Sequence, residues 1–421
     1  MERKHVIIIG AGASGLIAAA AISEKCDVTI LETNSRVGGR IRTMTNPIDE
    51  SIIEPGAEFV HGDTPVTHRL LIEAGLKKIK LDGKMMRKEG NKWVEEEDMI
   101  EGWDELVEKM KGQRSDMTMD DFLKKHFADE KYAGLRRHIK AFVQGFDVAD
   151  TSEVSVQSLY REWSNEGDQF RLETGYGPLI GFLEQKCREN GCKILIGETV
   201  KQIDWQKNEV TVYTSEGKKY DGNKVVITVP VSVLKDLHGK ASINLTPPAD
   251  EYINAARQIG FGTVIKVIFG MKQKIWKNKT GFIFSNEMIP TWWTQYPIDN
   301  NLISGWAGGP AAASISQHTD DEILEIAINS LANIFDTGRE EMRNIIGYSY
   351  VFNWSKYDES MGAYSFSTPD SVSARKLLNT PLAGTVYFAG EALYDGAYSG
   401  TVEAAFSSGQ KTAAELLKSL S

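Results

Sequence analysis

Cysteine is scarce in this chain: Cys26, Cys187 and Cys192 are the only three in 421 residues. Their number is odd and their spacing forms no metal motif. Neither a disulfide framework nor a zinc module therefore carries the fold, and a reducing compartment is the default. Long apolar runs are missing too. Val6 to Ser23 is uncharged and follows the basic start Met1-Glu-Arg-Lys, in the manner of a signal peptide. It reads better as a buried parallel strand, apolar on both faces, entering a turn and a helix. No other stretch is long enough to span a bilayer. Internal repeats and low-complexity tracts are absent, and so is any excess of positive charge. The formal net charge of −10 argues against nucleic acid as a main partner and suits a cationic small molecule. The expectation is a soluble, cytoplasmic protein with no membrane span. Nothing in the chain indicates an oligomeric state.

What is present is an ordinary globular composition, 41% hydrophobic and 25% charged. At 421 residues the chain is too long for one simple core, so two domains are expected.

The first forty residues are the most informative. An apolar run, Val6 to Ile9, meets Gly10-Ala11-Gly12-Ala13-Ser14-Gly15, a small-residue helix follows to Ile22, and a second apolar run from Val28 ends at Glu32. This is a strand–turn–helix–strand with glycines at G-x-G-x-x-G spacing. Gly10 permits the tight turn, Gly12 has no side chain to block a pyrophosphate, and Gly15 lets helix and strand pack closely. The helix N-terminus offers free N–H groups and partial positive charge to the phosphates. Glu32 stands where an acid binds ribose hydroxyls, and its charge disfavours a 2′-phosphate. Arg36-Val-Gly38-Gly39-Arg40 follows directly. It is either a solvated Gly-Gly turn or the continuation of a site for a longer dinucleotide, with Arg40 at pyrophosphate or flavin.

Three further segments bear on that choice. Glu54-Pro-Gly56-Ala57-Glu58-Phe59-Val-His61-Gly62 resembles a flavin-contacting segment of FAD-dependent amine oxidases. Ile259 to Phe269 resembles the strand that carries their active-site lysine, here Lys266. Val386-Tyr-Phe-Ala-Gly390-Glu391-Ala392, with Gly400-Thr401-Val402-Glu-Ala-Ala405, resembles their closing flavin-binding segment. In this order, from Val6 to Leu417, the chain is similar to the group that holds monoamine oxidases, polyamine oxidases and flavin-type histone demethylases.

The resemblance implies non-covalent FAD, because Ala363 stands where monoamine oxidases attach FAD through cysteine. It implies a Rossmann-like α/β FAD lobe over 1–82, 173–248 and 356–421, and an α+β substrate domain over 83–172 and 249–355, both discontinuous. Residues 83–172 read mainly as helices. Helices are also expected over Leu179–Arg188 and Asp320–Phe335, and a strand over Lys224–Pro230. Val200 falls where the family's adenine-side strand contacts the base.

For the chemistry, the resemblance gives Lys266 a water held against flavin N5. The plain alternative is an exposed edge lysine. His61 matches a histidine near substrate and flavin in polyamine-oxidase-like members, or is a loop histidine. Glu58 is a substrate-pocket acid or a backbone cap. Tyr364 matches one wall of the family's two-ring cage, and the opposite wall falls on Thr401. Trp354 packs near the isoalloxazine or in ordinary core. Glu391 binds the ribityl or pyrophosphate arm, or caps. The arginine that clamps a carboxylate in L-amino-acid oxidases is not evident, which favours a free amine. Acids over 95–121 and 320–325 suit a polycation or are plain helix surface. The resemblance implies that an amine and O2 are the partners, with the amine oxidised by hydride transfer to FAD and peroxide as product. Carotenoid desaturase-like or protoporphyrinogen oxidase-like chemistry, or a non-catalytic FAD-binding protein, are the other readings.

Overall fold

The structure is a computed structural model describing residues 3–90, 92–95, 102–165 and 167–420. Residues 96–101, within the acidic stretch 95–121, lie outside the described residues.

Five parallel strands form the first sheet, in the spatial order Lys193–Ile196, Asp27–Glu32, His5–Ile9, Lys224–Ile227 and Val386–Phe388. Its central strand is apolar from Val6 to Ile9 because both faces are covered there. On one face lie the helices Ala13–Ile22, Gly177–Glu189 and Val402–Lys418. On the other, Ile7, Ile9, Leu31, Val225 and Ile227 pack with Ile203 and Val212 of a four-stranded sheet. The uncharged run at the start of the chain is thus a strand, a turn and a helix. Among the described residues no helix is long and apolar enough to cross a membrane.

The strand over Lys224–Pro230 stops at Ile227, because Pro230 opens the short helix Val231–Lys235. The Asp320 helix ends at Ile334 and begins with a capping box between Thr319 and Glu322.

The second sheet has seven strands: Ile346–Asn353, Val264–Met271, Leu302–Gly308, Thr291–Thr294, Thr280–Phe284, Lys84–Glu89 and Lys92–Glu95. The last two correct the helical expectation for the start of 83–172. Met86 and Trp93 pack against the core of this sheet, and a period of two, not 3.6, is what buries them. A third strand, Gln169–Leu172, closes that segment, and helices fill most of what lies between. Trp103–Lys111, Met119–His126, Ala133–Gly145 and Val156–Trp163 share one core built on Phe122, Phe127, Ile139 and Leu159.

The strand Val264–Met271 positions the site. Ile265, Val267 and Phe269 point into the core under helix Asp320–Ile334. Alternation turns Lys266 to the other face, where a cavity lies between the two sheets.

Candidate active site

A cavity of about 2050 Å³ runs from the glycine turn of the first sheet to the helical segment. Drug-sized pockets reach about 1,000 Å³, so this one has room for a dinucleotide with a substrate beside it.

The turn is built as its glycines require. Gly10 has φ +103°, and a Cβ there would lie 2.8 Å from Thr228 Oγ1. A Cβ on Gly15 would lie 2.0 Å from the Gly10 carbonyl oxygen, so Gly15 serves close packing and does not line the cavity. A Cβ on Gly12 would meet nothing within 4 Å: the space before it is cavity. Ala13 and Ser14 open the helix beside it, and Ser14 Oγ is buried without a hydrogen-bond partner. Glu32 ends the second strand with Oε2 accepting from Ala11 N at 2.7 Å and Oε1 from Asn34 N at 2.9 Å. Its carboxylate lines the same space, as does Val200. Gly38 and Gly39, at φ +103° and +57°, bring backbone up to Gly12. An open glycine wall, a helix N-terminus with an orphaned hydroxyl and a ribose-height acid fit the adenosine diphosphate half of FAD.

Arg36 takes no part in that surface. Its guanidinium donates to the carbonyl oxygens of Val37, Gly39 and Ile41 at 3.1, 2.7 and 3.0 Å, and so braces the loop from behind. Arg40 does line the cavity. Its Nη1 donates to the Ala363 carbonyl oxygen at 2.7 Å and to Glu391 Oε1 at 2.9 Å. Glu391 Oε2 accepts from Ser365 Oγ at 2.5 Å. This buried acid therefore ties the first loop to the segment around Ala363. Gly390 beside it has only the Val229 carbonyl oxygen within 4.0 Å of an added Cβ. Thr401 is the N-cap of helix Val402–Lys418, its Oγ1 accepting from Ala404 N at 3.2 Å, and both Thr401 and Val402 face the cavity.

Lys266 is fully buried, not an edge lysine. Its Nζ donates to Glu58 Oε2 at 2.6 Å and to the Glu54 carbonyl oxygen at 2.5 Å, and lies 5.1 Å from the centre of the Trp293 ring. Glu58 is neither a cap nor a free pocket acid. It is the counter-ion of Lys266, and its other oxygen faces Arg171 at 3.4 Å. Burial alone would raise Glu58, but the two cations hold it below the ordinary carboxylate range. Gly56 and Ala57 line the cavity just ahead of it.

His61 and Phe59 stand on the strand Phe59–His61. His61 Nδ1 pairs with Gln169 Oε1 at 2.6 Å, and burial pushes its pKa down, so the ring is neutral with Nε2 free of a proton. The Tyr364 hydroxyl donates to the Phe146 carbonyl oxygen, and Trp354 Nε1 donates to that of Pro55 at 2.9 Å. Both rings line the cavity. Tyr364 and Thr401 both line the cavity.

Two acids went unread in the sequence. Asp147 and Glu162 both line the cavity, close enough to share a hydrogen bond. Burial pushes both above the ordinary carboxylate range, and the Asp147 charge pushes Glu162 further. Asp147 is followed by Val148, whose φ of +51° is unusual for a β-branched residue. Added Cβ atoms at Gly262 and Gly309 would lie 2.3 and 2.9 Å from Val148 backbone atoms, so only glycine admits that conformation. Glu162 left one legible sign: it stands three residues after Leu159 and one before Trp163, on the buried stripe of its helix.

The family model for flavin-containing amine oxidoreductases matches residues 13–155 and 104–417. Rice polyamine oxidase 4 is 27% identical, covering 98% of this chain and 88% of its own. Human lysine-specific histone demethylase 2 is 26% identical over 99% of this chain, which spans only 53% of the human protein. Putrescine oxidase bound to putrescine superposes with a TM-score of 0.82 over 99% of both chains, at 19% identity. Cyclohexylamine oxidase from Brevibacterium oxydans gives 0.81 over the whole of both chains, at 18%. At such identities the structures show the shared fold. The family match spans nearly the whole chain and agrees with a cavity that seats a dinucleotide beside a buried lysine. The chain belongs to the flavin-containing amine oxidoreductases, with FAD as its cofactor.

Proposed function

We propose that this amine oxidoreductase acts on a di- or polyamine, with oxygen as electron acceptor. The acid pair Asp147–Glu162 carries the reading. It lies in the cavity wall one residue from Phe146, the partner of Tyr364, and so next to the aromatic side of the site. A substrate with one nitrogen at the flavin and a second ammonium further out meets that pair. Its ammonium N–H groups then donate charge-assisted hydrogen bonds to the carboxylate oxygens of the pair. Between the two ends the walls are aromatic. His61 packs edge-on to Phe146 at 5.4 Å, Phe146 stacks on Phe142 at 5.5 Å, and Phe142 meets Trp163 at 5.7 Å. Such walls suit the methylene stems of a polyamine.

The neutral His61 ring and Tyr364 orient the reacting nitrogen without adding a positive charge beside it. Bound FAD supplies the hydride acceptor. The substrate loses two electrons and becomes an imine, whose hydrolysis gives an aldehyde and an amine, while oxygen becomes hydrogen peroxide. With Ala363 in place of cysteine, the cofactor is held non-covalently, by the glycine turn, Glu32 and Arg40.

The test is anaerobic mixing of the FAD-loaded protein with spermine, spermidine, N-acetylated polyamines, 1,4-diaminobutane, tyramine, tryptamine and L-amino acids. Bleaching of the flavin band by the amines with two or more cationic centres, ahead of the arylalkylamines, is expected. Faster bleaching by tyramine or an amino acid would overturn the polyamine reading.

A further inference from the structure

Lys266 reaches the cavity with its charge already answered. An ammonium has three protons to donate. Two are directed at Glu58 Oε2 and the Glu54 carbonyl oxygen, at 2.6 and 2.5 Å, and the Gly56 carbonyl oxygen lies at 3.5 Å. Glu58 is itself held from the other side. Its Oε1 accepts from Trp293 Nε1 at 3.1 Å and Gln295 Nε2 at 3.3 Å, and Arg171 stands at 3.4 Å. Arg171 in turn bonds Gln295 Oε1 and the Thr294 carbonyl oxygen.

A small void of about 20 Å³ adjoins this group, lined in part by Glu54, Glu58, Arg171 and Gln295. That is room for one water. Two of the lining residues carry buried atoms with no hydrogen-bond partner: Glu54 Oε2 and Arg171 Nε. Glu54 Oε1 accepts from Thr43 Oγ1 and Tyr176 N, both at 2.6 Å. Burial pushes the Glu54 carboxyl up to about 8, so at neutral pH it carries a proton, and the free oxygen is Oε2. A water in the void then receives hydrogen bonds from Glu54 Oε2–H and from Arg171 Nε–H. Its own protons remain for Glu58 or Gln295. Every orphaned atom in the group is satisfied by one molecule.

We propose that Glu58 is the positioning residue of Lys266, and that one buried water between Arg171 Nε and Glu54 Oε2 completes the network that aims and charges the ammonium. The titratable groups facing Lys266 are Glu54 and Glu58 from the loop before Phe59–His61, and Arg171 from the strand Gln169–Leu172. Its neighbours on the two flanking strands, Trp306 and Phe352, do not titrate. Among the described residues, Glu58 is therefore the anion that offsets Lys266 and Arg171 at neutral pH. Glu58→Gln removes it, and burial then drives the proton off Lys266.

The experiment is a pH titration of the lysine ¹³Cε resonances, with Lys266 identified by its loss in K266M. It is run without substrate, with and without FAD, on the wild type, E58Q and E58D. Lys266 is expected to lose its proton at least ~2 pH units earlier in E58Q than in the wild type. E58D, which keeps the charge on a shorter arm, falls between the two. A matching pH step is expected in the flavin absorption of loaded E58Q. A Lys266 resonance in folded E58Q or E58D that titrates as in the wild type would overturn the proposal. So would a high-resolution crystal structure with the void empty. If E58Q does not fold, E58D and the void decide. Because no substrate is used, either failure leaves the polyamine reading standing. Conversely, failure of every amine to bleach the flavin leaves this network untouched.

Discussion

The Tyr364 hydroxyl donates to the Phe146 carbonyl oxygen at 2.5 Å, and Phe146 is followed at once by Asp147. The aromatic wall of the site and its distal acid are thus one mechanical unit. Tyr364→Phe keeps the ring and removes the tie. It is expected to lower kcat/KM for 1,4-diaminobutane about five- to tenfold, from the loss of one buried hydrogen bond. Comparison with 1-aminobutane separates the effects. A ring-only role for Tyr364 predicts equal changes for both amines, whereas the tie to Asp147 predicts a larger loss for the diamine.

Gly12 and Gly15 share a motif but differ in what surrounds them. A Cβ on Gly12 points into open cavity, and one on Gly15 would strike the Gly10 carbonyl oxygen at 2.0 Å. Gly12→Val is expected to leave the melting temperature of the FAD-free protein within a few degrees of wild type while abolishing FAD retention on gel filtration. Gly15→Val is expected to unfold the first lobe, by overpacking of several kcal/mol. Strong FAD binding by Gly12→Val would show that the dinucleotide does not cross this turn.

The acid pair makes diamine binding depend on pH. Burial raises both carboxyls, and an incoming ammonium is held best once the pair is ionised. The KM for 1,4-diaminobutane is therefore expected to fall as pH rises through the neutral range, by up to about tenfold per unit. The fall ends where the substrate's own ammonium begins to titrate. Glu162→Gln leaves Asp147, which burial alone keeps raised, so it is the double variant Asp147→Asn/Glu162→Gln that should flatten the profile. An unchanged slope in that variant would assign the pH dependence to another group.

Glu54 has the opposite consequence, for stability. Its folded pKa is raised from 4.5 to about 8 by burial, so the native state holds a proton that the unfolded chain releases. Its contribution is fully present below about pH 4.5 and is lost as pH rises through about 8. Glu54→Gln keeps an oxygen for Thr43 and Tyr176 and cannot ionise. The variant should gain stability over wild type between pH 5 and 9, reaching a few kcal/mol. Denaturant unfolding of the FAD-free protein at pH 5, 7 and 9 measures this directly, and parallel curves for the two proteins would contradict it.

The glycine turn, Glu32 and the lysine strand were legible because their requirements are local. A glycine at fixed spacing, an acid at a strand end and a charge in an apolar run are visible without partners. Arg36 and Arg40 show the limit. They are four residues apart and equally basic, yet Arg36 folds back on its own loop while Arg40 reaches Glu391, 351 residues away in sequence. Glu58 and Lys266 were both marked, but nothing in either segment says that they meet. The strand Lys84–Glu89 was misread because its short polar alternation competes with surrounding helix-forming residues, and only pairing with Thr280–Phe284 decides it.

The amino-acid order alone determined the dinucleotide turn of the first lobe, because that rests on backbone geometry that particular residues permit or forbid, and the resemblance of its ordered motifs implied the family and FAD. The tertiary structure decided which charges face one another. Asp147 with Glu162 joins two neighbouring helical segments, whereas Glu58 with Lys266 and Arg171, and the one-water void beside Glu54, join segments far apart in sequence. The reason is physical. The effect of a charge depends on burial and on the distance to its nearest partner, and both are properties of the packed chain.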